Sequence, residues 1–156
     1  MADGVFPVSV LTPERQLLDV AARAVVLRSS DGELTVLDGH TPLVTDVVAG
    51  QVRVDPEEGE AVHLAVHGGY LQVETGPGVG EESGRSTRVT LLAGVAEEAG
   101  DIDVGRAQRA REAATARVDE LRSSRGGEDA GDPELAEAEA ELRRAEVRLE
   151  VAGSPG

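Results

Sequence analysis

A chain of 156 residues with a net charge of −15, no cysteine and only Phe6 and Tyr70 as aromatics excludes several kinds of protein at once. So acidic a surface repels phosphate backbones and argues against nucleic-acid binding. The missing thiols remove disulfides, thiolate metal sites and thiol nucleophiles. The start MADGVFPVSVL has no basic segment ahead of a long apolar one, and no apolar run approaches the ~20 residues that span a bilayer. The expectation is a soluble, intracellular chain that reaches a membrane only through a partner. All 15 basic residues are Arg, a bias more in keeping with a GC-rich genome than with a mechanism.

From Val5 to Ala93 the texture is β. Val8 and Val10 flank Ser9, Thr12-Pro13-Glu14-Arg15 reads as a turn into Gln16-Leu17-Leu18, and Ala24-Val25-Val26-Leu27 is a short apolar run. A turn at Asp38-Gly39-His40-Thr41-Pro42 comes next. Alternating segments at Val52–Val54, Val62–Val66, Tyr70–Val73 and Val89–Ala93 complete the pattern. Eight to ten short strands with frequent turn signals predict an antiparallel sandwich or flattened barrel with a Val/Leu/Ala core. The Gly/Ser-rich stretch from Gly76 to Ser86 predicts a long hairpin loop.

Period and composition change near Gly100. Val104, Ala107, Ala110, Ala114, Val118 and Leu121 recur at helical spacing from Asp103 to Ser123, with Asp101 or Asp103 available as N-cap and Gly126-Gly127 beyond the end. Asp132-Pro133-Glu134 opens a second helix, capped by Asp with Pro in its first turn. Its seam is Leu135, Ala138, Leu142, Ala145, Leu149 and Ala152, a heptad pattern too short for a long coiled coil. The two helices form an antiparallel hairpin. Its facing stripes are mostly Ala, so their burial offsets little of the cost of ordering the helices. The hairpin therefore needs another surface, which marks it as a candidate moving part. The predicted division is residues 1–98 as a β-sandwich and 99–156 as a helical hairpin.

Chemistry-bearing residues are few. His63 and His67 share a strand face but stand about 13 Å apart at ~3.3 Å per residue, too far to ligate one metal. His40 sits in a turn with Asp38 and Asp46 near in sequence, where capping or an interface role competes with a general base. No nucleophile–base pairing stands out. Glu57, Glu58, Glu60, Glu81 and Glu82 read as solvated loop charge. Gly68-Gly69 precedes a strand and offers no phosphate-binding helix end; a tight turn, a bulge or a place where another chain approaches closely fits it better. Arg106 and Arg109 share one side of the first helix, and Arg144 and Arg148 are neighbours on the second. They either aim at one anion or pair with Glu112, Asp119, Glu141 and Glu146.

The order GELTVLDGHTPLVT, then Gly50-Gln51-Val52-Arg53-Val54, then Gly68-Gly69-Tyr70-Leu71-Gln72-Val73, then Asp101-Ile102-Asp103-Val104-Gly105-Arg106-Ala107 and the hairpin closely resembles the epsilon subunits of F-type ATP synthases, over residues 5 to about 152. The resemblance implies a sandwich of about ten strands followed by a two-helix hairpin. It implies a non-catalytic subunit of the rotating central stalk that couples proton flow to ATP synthesis, peripheral on the cytoplasmic face of a bacterial membrane. Its partners would be the gamma subunit, the ring of c-subunits and, through an extended hairpin that blocks ATP hydrolysis, the alpha/beta head. Glu33 and His40 would lie at the c-ring and gamma interface. No cofactor is required. Some bacterial members bind ATP as a regulatory ligand through Ile/Leu-Asp-x-x-Arg-Ala, matched here by Ile102, Asp103, Arg106 and Ala107, with Glu97 before it and Arg144 and Arg148 on the second helix. Ala113, where binders can carry a further Arg, and Gly105 in the first helical turn keep the alternative of no nucleotide open. Two other readings compete: a small cupin-like metal enzyme using His40, His63 and His67, and a free-standing scaffold whose acidic hairpin docks on other helices.

Overall fold

The computed structural model describes residues 4–77, 87–124 and 131–154. Among these residues nine strands precede two helices: β1 (Phe6–Leu11), β2 (Gln16–Ser29), β3 (Gly32–Val36), β4 (Leu43–Val47), β5 (Gly50–Pro56), β6 (Val62–Val66), β7 (Gly69–Thr75), β8 (Thr87–Ala93), β9 (Ala96–Glu98), α1 (Val104–Ser124) and α2 (Pro133–Ala152). Hydrogen bonding links the strands in the order β4-β7-β8-β1-β2-β5-β6-β9, with β3 joined to β2. The sheet closes over one core in which Phe6, Leu27, Leu64, Leu71 and Leu91 are fully buried. Alternation explains it: every second residue of β1 (Phe6, Val8, Val10) and of β8 (Thr87, Val89, Leu91, Ala93) is buried.

Two differences from the expected pattern have physical causes. The segments Gln16–Leu18 and Ala24–Leu27 are one strand of 14 residues. Its first half pairs with β1, its second with β3 and β5, and the register slips between Ala22 and Ala24 where it changes partners. The sheet is also not wholly antiparallel. β8 runs parallel to β1, Val8 opposite Val89 and Val10 opposite Leu91. β8 pairs antiparallel with β7, its predecessor in the chain, but meets β1 from a distant segment, where no hairpin turn dictates the direction.

The turn after β3 is tied from both sides. His40 N donates to Leu37 O at 3.1 Å, and Gly39 takes φ +80°, a value that favours glycine at the third position of such a turn. Gly39 N donates to the buried Thr87 Oγ1 at 2.8 Å, and Thr75 Oγ1 donates to His40 O at 2.6 Å. The first residue of β7 is glycine for a different reason. A Cβ on Gly69 would stand 2.2 Å from Leu92 O of the neighbouring strand, so any side chain there forces β7 and β8 apart. The close approach is thus within the chain itself.

The helices follow the expected capping. Asp103 Oδ1 accepts from Arg106 N at 2.9 Å at the start of α1, and Asp132 Oδ1 accepts from Glu134 N at 3.0 Å at the start of α2, where Pro133 takes the first position. Val118, Leu121, Leu135 and Ala138 form a small core between the helices, with Leu142 against it. Arg122 and Glu139 bridge them at 2.7 Å. Val104 and Ala110, assigned to the α1 seam on spacing, are exposed; α1 buries Ala107, Ala114, Val118 and Leu121, the last two in the core it shares with α2. Gly126-Gly127 and most of the Gly76–Ser86 loop lie outside the described residues.

Candidate functional site

The second surface that the thin hairpin requires is the sandwich. Val147 and Val151 of α2 are fully buried against Ala65 of β6 and Ile102, with Ala99 and Ala152 at the edge. These two valines are i,i+4 neighbours offset from the Leu/Ala seam. They form a second apolar stripe that lets α2 pack on α1 with one face and on the sheet with another. The seam reading alone missed them, although the spacing was legible. At the end of α2, Ser154 Oγ accepts from Gln51 Nε2 of β5 at 3.1 Å, and Arg143 donates to Ala49 O at 3.4 Å.

Beside this contact the chain gathers charge. Glu97 lies on β9, a single 3-10 turn covers Ala99–Asp101, and Ile102 anchors the crossing into α1 by burying its side chain. Glu97, Asp101, Asp103, Arg106, Ala107, Ala110 and Arg148 surround a cavity of about 340 Å³, within the range of small-ligand pockets. Four elements build it: β9, the 3-10 turn, the start of α1 and the last turns of α2. Arg148 Nε donates to Glu97 Oε2 at 2.6 Å, with each side chain about one-third exposed. The guanidinium groups of Arg106 and Arg148 suit phosphate oxygens, and the carboxylates suit hydroxyl or amino donors. Asp103 already spends one oxygen on the α1 cap.

Of the residues singled out in the sequence, Glu97, Asp103, Arg106, Ala107 and Arg148 therefore line one cavity. Ile102 supports it from the apolar contact below. Arg144, one turn from Arg148, does not line the cavity; its charge acts on His67. Glu33 and His40 are not brought together, since Glu33 lies near the start of β3 and His40 four residues past its end. Glu33 borders a separate cleft of about 520 Å³ between sheet and α2, with Arg28, Gln51, Arg53, His63 and Arg143.

The histidine pair also separates. His63 stays in β6, opposite Arg53, and its ring contacts the Gln51 side chain. His67 has left the strand, and its side chain is only 4% exposed. Neither of its ring nitrogens makes a hydrogen bond among the described residues, and Glu97 Oε2 stands 3.5 Å from Nε2. Burial, then the charge of Arg148, hold its pKa below the ordinary 6.5, with Glu97 opposing and Arg144 adding a smaller push down. Among the described residues no three His, Asp or Glu side chains are grouped to hold a metal ion.

The fold is a β-sandwich with a two-helix hairpin docked on it by a few apolar residues. Comparison with known proteins gives the family. Residues 5–77 match the model of the ATP synthase delta/epsilon chain β-sandwich domain, and residues 101–153 match that of its long α-helix domain. An ATP synthase epsilon chain of Symbiobacterium thermophilum is 37% identical over 99% of this chain and 96% of its own length. Another, of Lactobacillus gasseri, is 36% identical over 94% and 92%. A chain in the Euglena gracilis mitochondrial ATP synthase shares the fold at TM-score 0.69 and 22% identity, covering 93% of this chain and 79% of that one.

The chain belongs to the ATP synthase delta/epsilon family, on the epsilon side, as the resemblance of its motifs implied. It is a non-catalytic central-stalk subunit of the membrane-associated ATP synthase. Among the described residues no helix is long and apolar enough to cross a membrane. The comparisons give no support to the cupin-like enzyme or the free-standing scaffold.

Proposed function

We propose that the chain works as a stalk subunit in two parts, a docking unit over residues 1–98 and a regulatory hairpin over 99–156. The sandwich grips gamma and rests on the c-ring at the cytoplasmic face of the membrane, with Glu33 and His40 among the contacts. The hairpin is a two-state element. Docked, as here, it lies against β5, β6 and the 3-10 turn; extended, it reaches the alpha/beta head and restrains ATP hydrolysis. Its own core is small, so whichever surface or ligand binds one state better shifts the balance.

The observation that carries this reading is the cavity shared by β9, α1 and α2. A ligand that touches all three elements binds the docked state and not the extended one. The pairing of Arg106 and Arg148 with three carboxylates supports ATP as that ligand, its phosphates on the guanidinium groups and its ribose or base on the acids. High ATP would then hold the brake off. Calorimetric titration of ATP into the full chain tests this, with Asp103→Ala and Arg106→Ala as controls. Saturable binding that both substitutions weaken is the expected result. No binding at millimolar ATP would retire the nucleotide role and leave the hairpin regulated by other means.

A further inference from the structure

Among the described residues, the His67 ring is the one buried titratable group at the hairpin contact that neither the apolar packing nor the nucleotide cavity explains. Buried polar atoms ordinarily find hydrogen-bond partners; these two nitrogens make no hydrogen bond among the described residues, and Glu97 Oε2 stands 3.5 Å from Nε2. The charged groups facing the ring are Glu97 from β9 and Arg148 and Arg144 from α2. Glu97 is already engaged by Arg148 at 2.6 Å. Two guanidinium groups on α2 and one carboxylate on β9 therefore act on the ring with opposite signs. A neutral imidazole is tolerated there. An imidazolium would be desolvated, and Arg148 and Arg144 of α2 would push against the pull of Glu97.

We propose that His67 is a pH-sensitive latch: a proton on its ring drives α2 off the sandwich, so that acidification releases the hairpin. The sign comes from linkage. Undocked, the ring meets water and titrates near its ordinary 6.5; docked, it titrates lower, for burial and Arg148. Above the undocked pKa both states are neutral and docking is at full strength. As pH falls from there toward the docked pKa, the undocked state takes up the proton first and docking weakens. Below the docked value no further loss accrues. The latch does not need a nucleotide, and its failure would leave the cavity's role standing.

The chain has no native thiol, so a single Ala65→Cys, buried beneath Val147 and Val151, reports undocking through its alkylation rate divided by that of an unstructured peptide. Between pH 7.5 and 5.5 this ratio should rise by up to about tenfold, the ceiling for one histidine titrating at its ordinary value. His67→Gln should flatten the response, as should His67→Phe if the glutamine variant folds poorly. His63→Gln, a neighbour at the same contact, should respond like the parent. A parent ratio that does not change, or an equal rise in both His67 variants, would overturn the proposal.

Discussion

Val147 and Val151 hold the docked state, and their truncation can be worked through. Both are fully buried, and among the described residues the large aliphatic that shares their contact is Ile102. Val→Ala removes two buried carbons at each position. At ~0.8 kcal/mol per buried methylene that is about 1.6 kcal/mol each and about 3 kcal/mol together, before any cavity cost. Since 1.4 kcal/mol is tenfold, Val147→Ala with Val151→Ala should lower the docking constant about a hundredfold. The alkylation rate of Ala65→Cys reads this directly, and it should rise by the same factor. The melting of the sandwich should hardly move, because its core of Phe6, Leu27, Leu64, Leu71 and Leu91 is separate. Leu135→Ala is the control: it weakens the contact between the helices and should change the alkylation rate far less. An unchanged rate in the double variant would refute the claim that this stripe holds the hairpin.

Two further substitutions test the geometry. Gly69→Ala places a methyl 2.2 Å from Leu92 O; backbone cannot yield cheaply, so thermal denaturation should show a loss of about 2 kcal/mol or more. Arg148→Ala removes the strongest repulsion on the His67 proton and frees Glu97 to accept from the ring. The docked pKa of His67 should rise toward or past 6.5 and the acid sensitivity of docking should shrink, both visible by NMR titration of the ring. An unchanged titration would mean that Arg148 does not set the value.

Much of the architecture could be read from the chain. Strand alternation, the Asp103 and Asp132 caps and the Leu/Ala seam are local, and local rules decide them. The joining of Gln16–Leu18 with Ala24–Leu27 escaped because a strand that changes partners at a bulge looks interrupted in sequence. The parallel β1–β8 pair escaped because pairing between strands so far apart in the chain leaves no local trace. At the site, the motif at Asp103, Arg106 and Ala107, with Glu97 before it and Arg148 on the second helix, pointed to residues that do line the cavity, while Ile102 lies in the apolar contact. Arg144 shows the limit of spacing arguments: one turn along α2, Arg148 both lines the cavity and acts on His67, whereas Arg144 acts only on His67. The sequence places His67 on one strand face with His63. Its place beside Glu97 and Arg148 depends on the strand ending at Val66 and on α2 bringing Arg148 to Glu97, which only the tertiary contact determines.

The central claim is that the segment after Gly100 is a brake and not a structural support. Removing residues 101–156 from the chain in the assembled enzyme tests it most directly, with subunit content and ATP hydrolysis measured together. The sandwich keeps its core and its docking edge without the hairpin, so the complex should assemble with gamma and the c-ring and hydrolyse ATP faster than the parent. Intact assembly with unchanged or slower hydrolysis would contradict the account.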